Sequence, residues 1–557
     1  MTKASPPRSS EYAVLVIGCG PVGLYAAYLL GKRNISTLVV DKYLTRRGQP
    51  KAHALNPRTL ELFRQTGLDV PHIRDLGIDP FAVDVVRFVD SFYGWEYGHL
   101  QYERQFDDVL NLTPEPLVNV AQPEIEEYLW SEVAKLPKVV VQREVEWLDA
   151  EPVSGGRGVV STLLNRATGE QYIIETDYLI GCDGARASSR QDLNIAFNPV
   201  FEGKKTEKHH ITSHFRAELP GKRSGIIFFN MQPHGVRAFI RYGENEWVFV
   251  QRFNPDTESG SSFDISTCQG MIQHALGKPS DVEVLSTTIW QSSTKVADMY
   301  RSTRVPSAFL AGDAAHTFPP TGGLGVNTGF ADIHNLIWKL DLVLKGMAPE
   351  TLLDTYQSER RPVAIQNAKQ SAVNEDNMDR LGVLVSRAGP PGQGNQGRRA
   401  TISQEQVHEC IQLNAPHFDS LDLQLGYIYG QERAPGKDVS VFTPSFTRGA
   451  RLPHAYLSSF TDKRSTLDLV GPDKFVLICP NNKLCIEVEL ALPLRLKDYV
   501  VLIVHNQDFE VDDDEWLNQA FTPRRDRTIL VRPDQHVAGF ASSASDVVAL
   551  LTQYIKS

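Results

Sequence analysis

The chain is poor in cysteine, has no long apolar run and carries no surplus of positive charge, and each shortage removes a class of protein. Its six cysteines are scattered over 557 residues without a C-x-x-C pair, which argues against a disulfide framework or a zinc site, so no metal is expected. No stretch approaches the ~18 consecutive apolar residues of a membrane span. The opening segment MTKASPPRSSEY is polar and passes straight into an apolar strand, unlike a secretory leader. The 57 basic residues are outnumbered by 67 acidic ones, and a formal charge of −10 argues against nucleic acid or an anionic membrane as partner. What remains is a cytoplasmic protein of ordinary globular composition, 41% hydrophobic and 22% charged. At ~100–200 residues per domain, its length suggests two to four domains.

The first forty residues organise the rest. Tyr12 to Ile17 reads as a buried strand, Gly18-Cys19-Gly20-Pro21-Val22-Gly23 as a glycine turn, and Leu24 to Leu30 as an apolar-periodic helix. A second strand, Leu38-Val39-Val40, ends in Asp41, eighteen residues past Gly23. This is a dinucleotide fingerprint. Gly18 permits the turn, Gly20 lets a pyrophosphate approach the backbone, and Gly23 lets helix pack on strand. The helix N-terminus offers amides to phosphate, and Asp41 can accept from ribose hydroxyls. A second G-x-G-x-x-G, Gly392 to Gly397, follows no strand and reads as a decoy.

Two later stretches have the same strand-then-glycine form. Tyr178-Leu179-Ile180-Gly181-Cys182-Asp183-Gly184 resembles the second dinucleotide-contact loop of a flavoprotein. Ala308 to Ala311 leads into Gly312-Asp313, then into Pro319-Pro320-Thr321-Gly322-Gly323-Leu324-Gly325-Val326-Asn327 and a long helix from Phe330 to Gly346. Asp313 is placed to meet a ribityl chain or phosphate. Gly323 to Asn327 offer amides at a helix N-terminus to a flavin ring whose pyrimidine edge becomes anionic on reduction. The basic loop from Lys42 through Arg47 to Pro57 either contacts phosphate and flavin or faces water, and His53 shares that ambiguity. Gln122, at the start of a helix running to Lys135, either points into a ligand cleft or caps the helix.

These three motifs in order resemble those of single-component FAD-dependent aromatic hydroxylases, the flavoprotein monooxygenases that include phenol hydroxylases and chlorophenol monooxygenases. Lys51 to Glu61, Asn335 to Leu340 and Tyr356 to Pro362 add to the likeness, which covers residues 12–375. The resemblance implies an α/β fold: a Rossmann-like FAD-binding domain (1–80, 115–204 and 301–386), an inserted antiparallel-sheet substrate domain (81–114 and 205–300), a linker at 387–430, and a thioredoxin-like C-terminal domain at 431–557. Cys479 and Cys485 are too far apart in sequence for that domain's redox dithiol. Dimerisation is therefore its expected task, and a chain ended near Gly430 is expected to keep FAD.

The resemblance also implies the chemistry. NADPH or NADH reduces FAD and leaves, and molecular oxygen then forms a flavin hydroperoxide that hydroxylates a small phenolic or related aromatic substrate. Protein side chains do little acid–base work in such a scheme. His53 is a candidate base, its ordinary pKa near ~6.5 suiting a phenolic proton, or else a packing histidine. Arg237 and Tyr242 are candidates to grip substrate, and Trp247, Phe249 and Pro319 to line its pocket. Epoxidation or oxidative rearrangement of a larger aromatic, or a non-catalytic FAD-stabilised scaffold, are the rival readings.

Overall fold

The computed structural model describes residues 11–45, 52–202, 207–221, 223–232, 235–388, 403–433, 437–458, 463–521 and 527–556. A five-stranded parallel sheet forms its base, in the order Ala308–Leu310, Tyr178–Gly181, Val14–Ile17, Thr37–Asp41, Val139–Arg143. The central strand reads Val-Leu-Val-Ile with no polar residue, as a strand covered on both faces should. The helix Pro21–Lys32 lies between the first two strands in sequence, and the 21-residue helix Leu324–Leu344 packs against it. Three strand ends of this sheet, at Ile17, Gly181 and Leu310, deliver the three glycine loops to one edge.

A seven-stranded sheet stands beyond that edge, in the order Glu283–Ser292, Lys208–Arg216, Glu246–Phe253, Gly235–Arg241, Ile227–Gln232, Val85–Val89, Glu96–Gln101. Its pairs are antiparallel except Val85–Val89 with Ile227–Gln232. Strands from residues 81–114 and from residues 205–300 thus share one sheet. Within the second stretch, expected as a sheet with strands at 209–218, 224–231, 236–242, 246–253 and 282–290, the interval between the last two holds a helix, Ile265–Leu276. The signals for it are present: Asp264 caps it by accepting from the Thr267 amide, Cys268, Ile272, Ala275 and Leu276 make a helical stripe, and Gly277 ends it at φ 80°. That stripe covers one face of the sheet, closing on Phe92, Phe215, Phe228, Phe239, Trp247 and Phe249. The opposite face, with Phe88, Phe229, Met231, Ala238 and Ile240, packs on Met378, Leu381 and Val385 of the 35-residue helix Asp354–Ala388.

The segment expected as a linker is only partly one. Residues 389–402, which hold the decoy glycine motif, lie outside the described residues, but Gln404–Gln412, Ala415–Phe418 and Leu421–Leu425 are helical. Val407, Ile411 and Phe418 bury themselves in the second sheet face, so apolar burial overrides the polar composition around them. Beyond them a four-stranded sheet runs in the order Val500–Val504, Phe475–Cys479, Thr528–Val531, Val537–Ala541. Its first pair is parallel and the others antiparallel.

Buried charges join this last unit to the first. Glu61 accepts from Arg58 at 3.0 Å and from Arg451, and Arg532 donates to Glu359 at 2.6 and 2.8 Å. Arg58 also donates to the Gln535 side chain at 2.8 Å and the Asp534 carbonyl at 2.9 Å. Ion pairs so enclosed strongly oppose separation, because removing one partner strands the other in a low dielectric.

Candidate functional site

The glycine loops interlock by close backbone approach. A side chain at Gly23 would put its Cβ 2.0 Å from the Gly18 carbonyl oxygen, and one at Gly18 would lie 2.6 Å from that of Cys182. Gly18 also sits at φ +101°, which favours glycine. Gly20 differs: its backbone is extended and nothing lies within 4 Å of a Cβ built there. Its glycine therefore answers to something outside the protein's own packing, as a pyrophosphate would require. Pro21 opens the helix, and Val22 packs against Gly312 and Gly329, joining the first loop to the third. Asp41 accepts the Cys19 amide at 2.8 Å and the Tyr43 amide at 2.9 Å, which holds the carboxylate at the rim of the loop. Lys42 is exposed, its Nζ 5.6 Å from the Tyr43 ring, and Arg47 lies outside the described residues.

In the second loop Asp183 is occupied by the protein itself. Its carboxylate accepts from the Ser189 amide and from the Ser188 and Ser189 hydroxyls at 3.0, 3.1 and 2.6 Å, so it orders the loop. Gly184, at φ +82°, has open space beside it.

The third loop rests on residues that sequence reasoning missed. Asp332, wholly buried on the long helix, accepts from Arg360 at 2.9 Å and from the Gly312 amide at 3.3 Å, and lies 2.7 Å from His316 Nε2. Burial alone would raise its pKa, but His316 and Arg360 outweigh burial and hold it below the usual carboxylate range. Asp313, next to Gly312, is exposed and therefore reachable by a ligand. Pro319 is buried and Pro320 exposed; Gly322 and Gly323 adopt φ +101° and +61° and turn the chain into the helix at Leu324-Gly325-Val326. Asn327 is fully used in positioning. It accepts from Asn56 N and Thr59 Oγ1 at 3.1 and 2.7 Å and donates to the Ala54 and Gly323 carbonyls at 2.9 and 2.7 Å.

Between these loops lies a small cleft lined by Pro21, Ala52, His53, Ala54, Leu55, Val120, Gln122, Ile125, Val326 and Phe330. Gln122 both lines it and pins it, accepting the Ala52 amide at 3.2 Å and donating to Glu126 at 2.6 Å. His53 Nε2 stands 3.1 Å from the Tyr102 hydroxyl, and the Tyr242 ring meets His53 edge-on at 5.5 Å. Burial takes His53 down to about 4, so its imidazole is neutral and a weaker base than its ordinary pKa suggests.

Three sequence candidates fall on the face of the second sheet that the helix Ile265–Leu276 covers. Trp247 and Phe249 are in the closed layer against Ile265–Leu276, and Trp247 is wholly buried there. Arg237, two residues before Phe239, shares that face by strand alternation; it pairs in register with Asn230, whose side chain donates to the Ala275 carbonyl at 2.8 Å. A shift of one residue exchanges the faces of a strand. On the same strands Val248, Val250, Ala238 and Ile240 point the other way, toward the face that includes Ala54 of the cleft.

A sheet edge that gathers three glycine loops, one of them open at Gly20 and one entering a helix N-terminus, defines a dinucleotide-binding flavoprotein. The chain belongs to the FAD binding domain family, whose pattern matches residues 11–371, and residues 446–556 match the aromatic-ring hydroxylase C-terminal domain. It is 30% identical to 4-methyl-5-nitrocatechol 5-monooxygenase of Burkholderia sp. over 99% of this chain and 98% of that protein. It is 29% identical to phenol 2-monooxygenase of Pseudomonas sp. (strain EST1001), over 96% and 90%. Among solved structures it superposes on the flavin-dependent monooxygenase PieE, crystallised with FAD and substrate, with TM-score 0.86 and 26% identity over 98% of each chain. The protein is an FAD-dependent aromatic hydroxylase with NAD(P)H as electron donor, which sets aside the scaffold reading. Among the described residues no helix is long and apolar enough to cross a membrane, and no cluster could hold a metal ion.

Proposed function

We propose that the substrate is a hydroxyarene held between the glycine cradle and the sheet face of Phe229, Ala238 and Ile240, and that molecular oxygen supplies the new hydroxyl. Ala54 carries this reading. It lines the cleft beside Pro21, Gln122 and Val326 and belongs to the same apolar cluster as Phe229 and Met231. A planar ring fits such an apolar wall, and the rim of His53, Tyr102 and Tyr242 offers polar groups to a ring hydroxyl.

FAD, when bound, supplies the redox chemistry and the activation of oxygen. Gly18, Gly20 and Gly23 would hold its pyrophosphate, Asp41 its ribose, Asp313 its ribityl chain or phosphate, and the turn Gly323 to Val326 its ring. The Asp332–Arg360–His316 cluster fixes the third loop, and Gln122 and Asn327 fix the segment 52–56. Apolar side chains around the cleft exclude water, which keeps oxygen chemistry directed at the ring.

The finer architecture follows: an FAD domain, an inserted substrate sheet, and a C-terminal thioredoxin-like unit. Support for the last is its strand order, with a parallel pair at one edge and two antiparallel pairs beyond it. Its Cys479 and Cys485 are both buried thiols, so it works without a redox dithiol, as a brace and a dimer contact. The test is to load the purified protein with FAD, add a panel of hydroxyarenes, and read NAD(P)H oxidation with product mass. Faster oxidation with a product heavier by one oxygen is expected, and no hydroxylated product from any of the panel would overturn the reading.

A further inference from the structure

Glu103 is an acid the hydroxylase reading does not use. It follows Tyr102 directly, at the turn after the strand Glu96–Gln101, with φ +36°, in the left-handed region that non-glycine residues avoid. Its amide donates to the Phe418 carbonyl at 2.7 Å, which fixes the turn against the helical segment 404–425. One carboxylate oxygen, Oε2, accepts from the Gln424 side chain at 3.2 Å. The other, Oε1, lies 4.0 Å from the Cβ position of Gly323, in the turn that leads into the long helix. Among the described residues Oε1 has no hydrogen-bond partner and no cation pairs with the carboxylate. Glu103 is half-buried, and an acid with one oxygen left unpartnered beside the Gly323 turn is available to a ligand.

We propose that Glu103 is the proton acceptor of the substrate hydroxyl, and so selects aromatic substrates that carry a free ring hydroxyl beside the carbon to be oxidised. This rests on the hydroxylase reading above. In the step itself the substrate O–H bond breaks, its proton passes to Oε1, and the electron pair stays on the ring oxygen. The ring becomes more electron-rich at the positions ortho and para to it, and no oxidant is consumed. Gln424 holds Oε2 and so aims Oε1.

The surroundings favour Glu103 over His53. Tyr102 precedes it in the chain, with His53 and Tyr242 on the hydroxyl side of that tyrosine. Asp419, itself bound by Arg104 at 2.8 Å, faces Glu103 from the helical segment. The first turn of the long helix, Leu324 to Phe330, brings no titratable group. Burial first, and Asp419 in addition, push the Glu103 carboxyl up to about 8, against the opposing hydrogen bond from Gln424. A base with that value matches a phenolic proton far better than an imidazole held near about 4.

The experiment uses the FAD-loaded full chain and reads binding of phenol and of anisole, its O-methyl ether, by the change in flavin absorbance at pH 6.5 and pH 8.5. An ionised Glu103 accepts from phenol but has nothing to accept from anisole. The preference for phenol is therefore expected to rise about tenfold between the two pH values, the effect of one charge-assisted hydrogen bond. In Glu103→Gln the preference is expected to stay flat, with FAD retained and hydroxylation slowed mainly in kcat. Gln424→Leu removes the donor to Oε2 and is expected to move the rise to higher pH, a readout that survives if the first variant folds poorly. A flat preference in the wild type, or an unchanged rise in Glu103→Gln, overturns the proposal alone. A wild type that binds neither probe and hydroxylates no hydroxyarene overturns the substrate reading and the proposal together.

Discussion

Arg451 donates through Nε to Glu61 at 2.8 Å, and each side chain is only 1% exposed although 390 residues separate them. Burial alone would raise the Glu61 pKa, but Arg451 and then Arg58 outweigh it and hold the carboxyl below its ordinary range. The Glu61 contribution is thus present above the unfolded pKa and lost as pH falls through the folded one. Arg451→Ala is expected to cost about 3–5 kcal/mol at pH 7, since it leaves Glu61 buried with half its hydrogen bonds. Denaturant melts at pH 7 and pH 4 check this, with the penalty shrinking on acidification. The same geometry corrects the expectation that a chain ended near Gly430 keeps FAD. Such a chain strips Glu61 of Arg451, Glu359 of Arg532, and Arg58 of the Gln535 side chain and the Asp534 carbonyl, and its expected fate is aggregation rather than a smaller holoenzyme.

Gly20 separates ligand from fold. Its extended backbone suits any residue, and a Cβ there meets no protein atom within 4 Å. Gly20→Val is therefore expected to leave the apoprotein's melting temperature nearly unchanged while abolishing FAD retention. Gly23→Val, whose Cβ would lie 2.0 Å from the Gly18 carbonyl oxygen, is expected to unfold the loop with or without FAD. Parallel apoprotein melts and flavin absorbance after gel filtration distinguish the two.

These contrasts mark what was legible in the chain. Local rules carried the three glycine loops, because each is a strand, a turn and a helix start within a short window. The helix Ile265–Leu276 was equally readable from its cap and stripe, and was hidden by the alternating strands around it. Residues at Trp247 and Phe249 show the limit of pattern: aromatic alternation reveals that a strand has two faces, and only the packed helices show which one is closed. Asp332, Arg360, Glu61, Arg451 and Glu103 meet their partners across long sequence separations. No local periodicity encodes such pairs.

Glu103 carries a stability signature that needs no substrate. Its folded pKa of about 8 lies above the unfolded value of ~4.3, so the folded state favours the protonated form. Stability from this group is full below the unfolded value and is lost as pH rises through the folded one. Glu103→Gln, which cannot ionise, is expected to be more stable than the wild type above about pH 5. The gap should widen up to about pH 8 and stay level beyond it, read as the difference in apoprotein melting temperature. A gap independent of pH would mean that the folded carboxyl titrates as it does in the unfolded chain.

Neighbouring residues on one strand test which sheet face meets substrate. Phe239 is wholly buried in the closed layer with Trp247, while Ile240, the next residue, is partly buried on the face shared with Ala54. Trp247→Ala is expected to cost about 3–5 kcal/mol through the cavity it leaves, with substrate KM unchanged in the protein that folds. Ile240→Ala removes a side chain that is less enclosed and is expected to cost less. Its effect should appear instead as a raised KM for small hydroxyarenes and a relative gain for bulkier ones, because the lost volume opens the proposed pocket. Steady-state kinetics on a size series of hydroxyarenes, with denaturant melts alongside, provide the comparison. A shift in size preference from Trp247→Ala, with none from Ile240→Ala, would place the substrate on the opposite face.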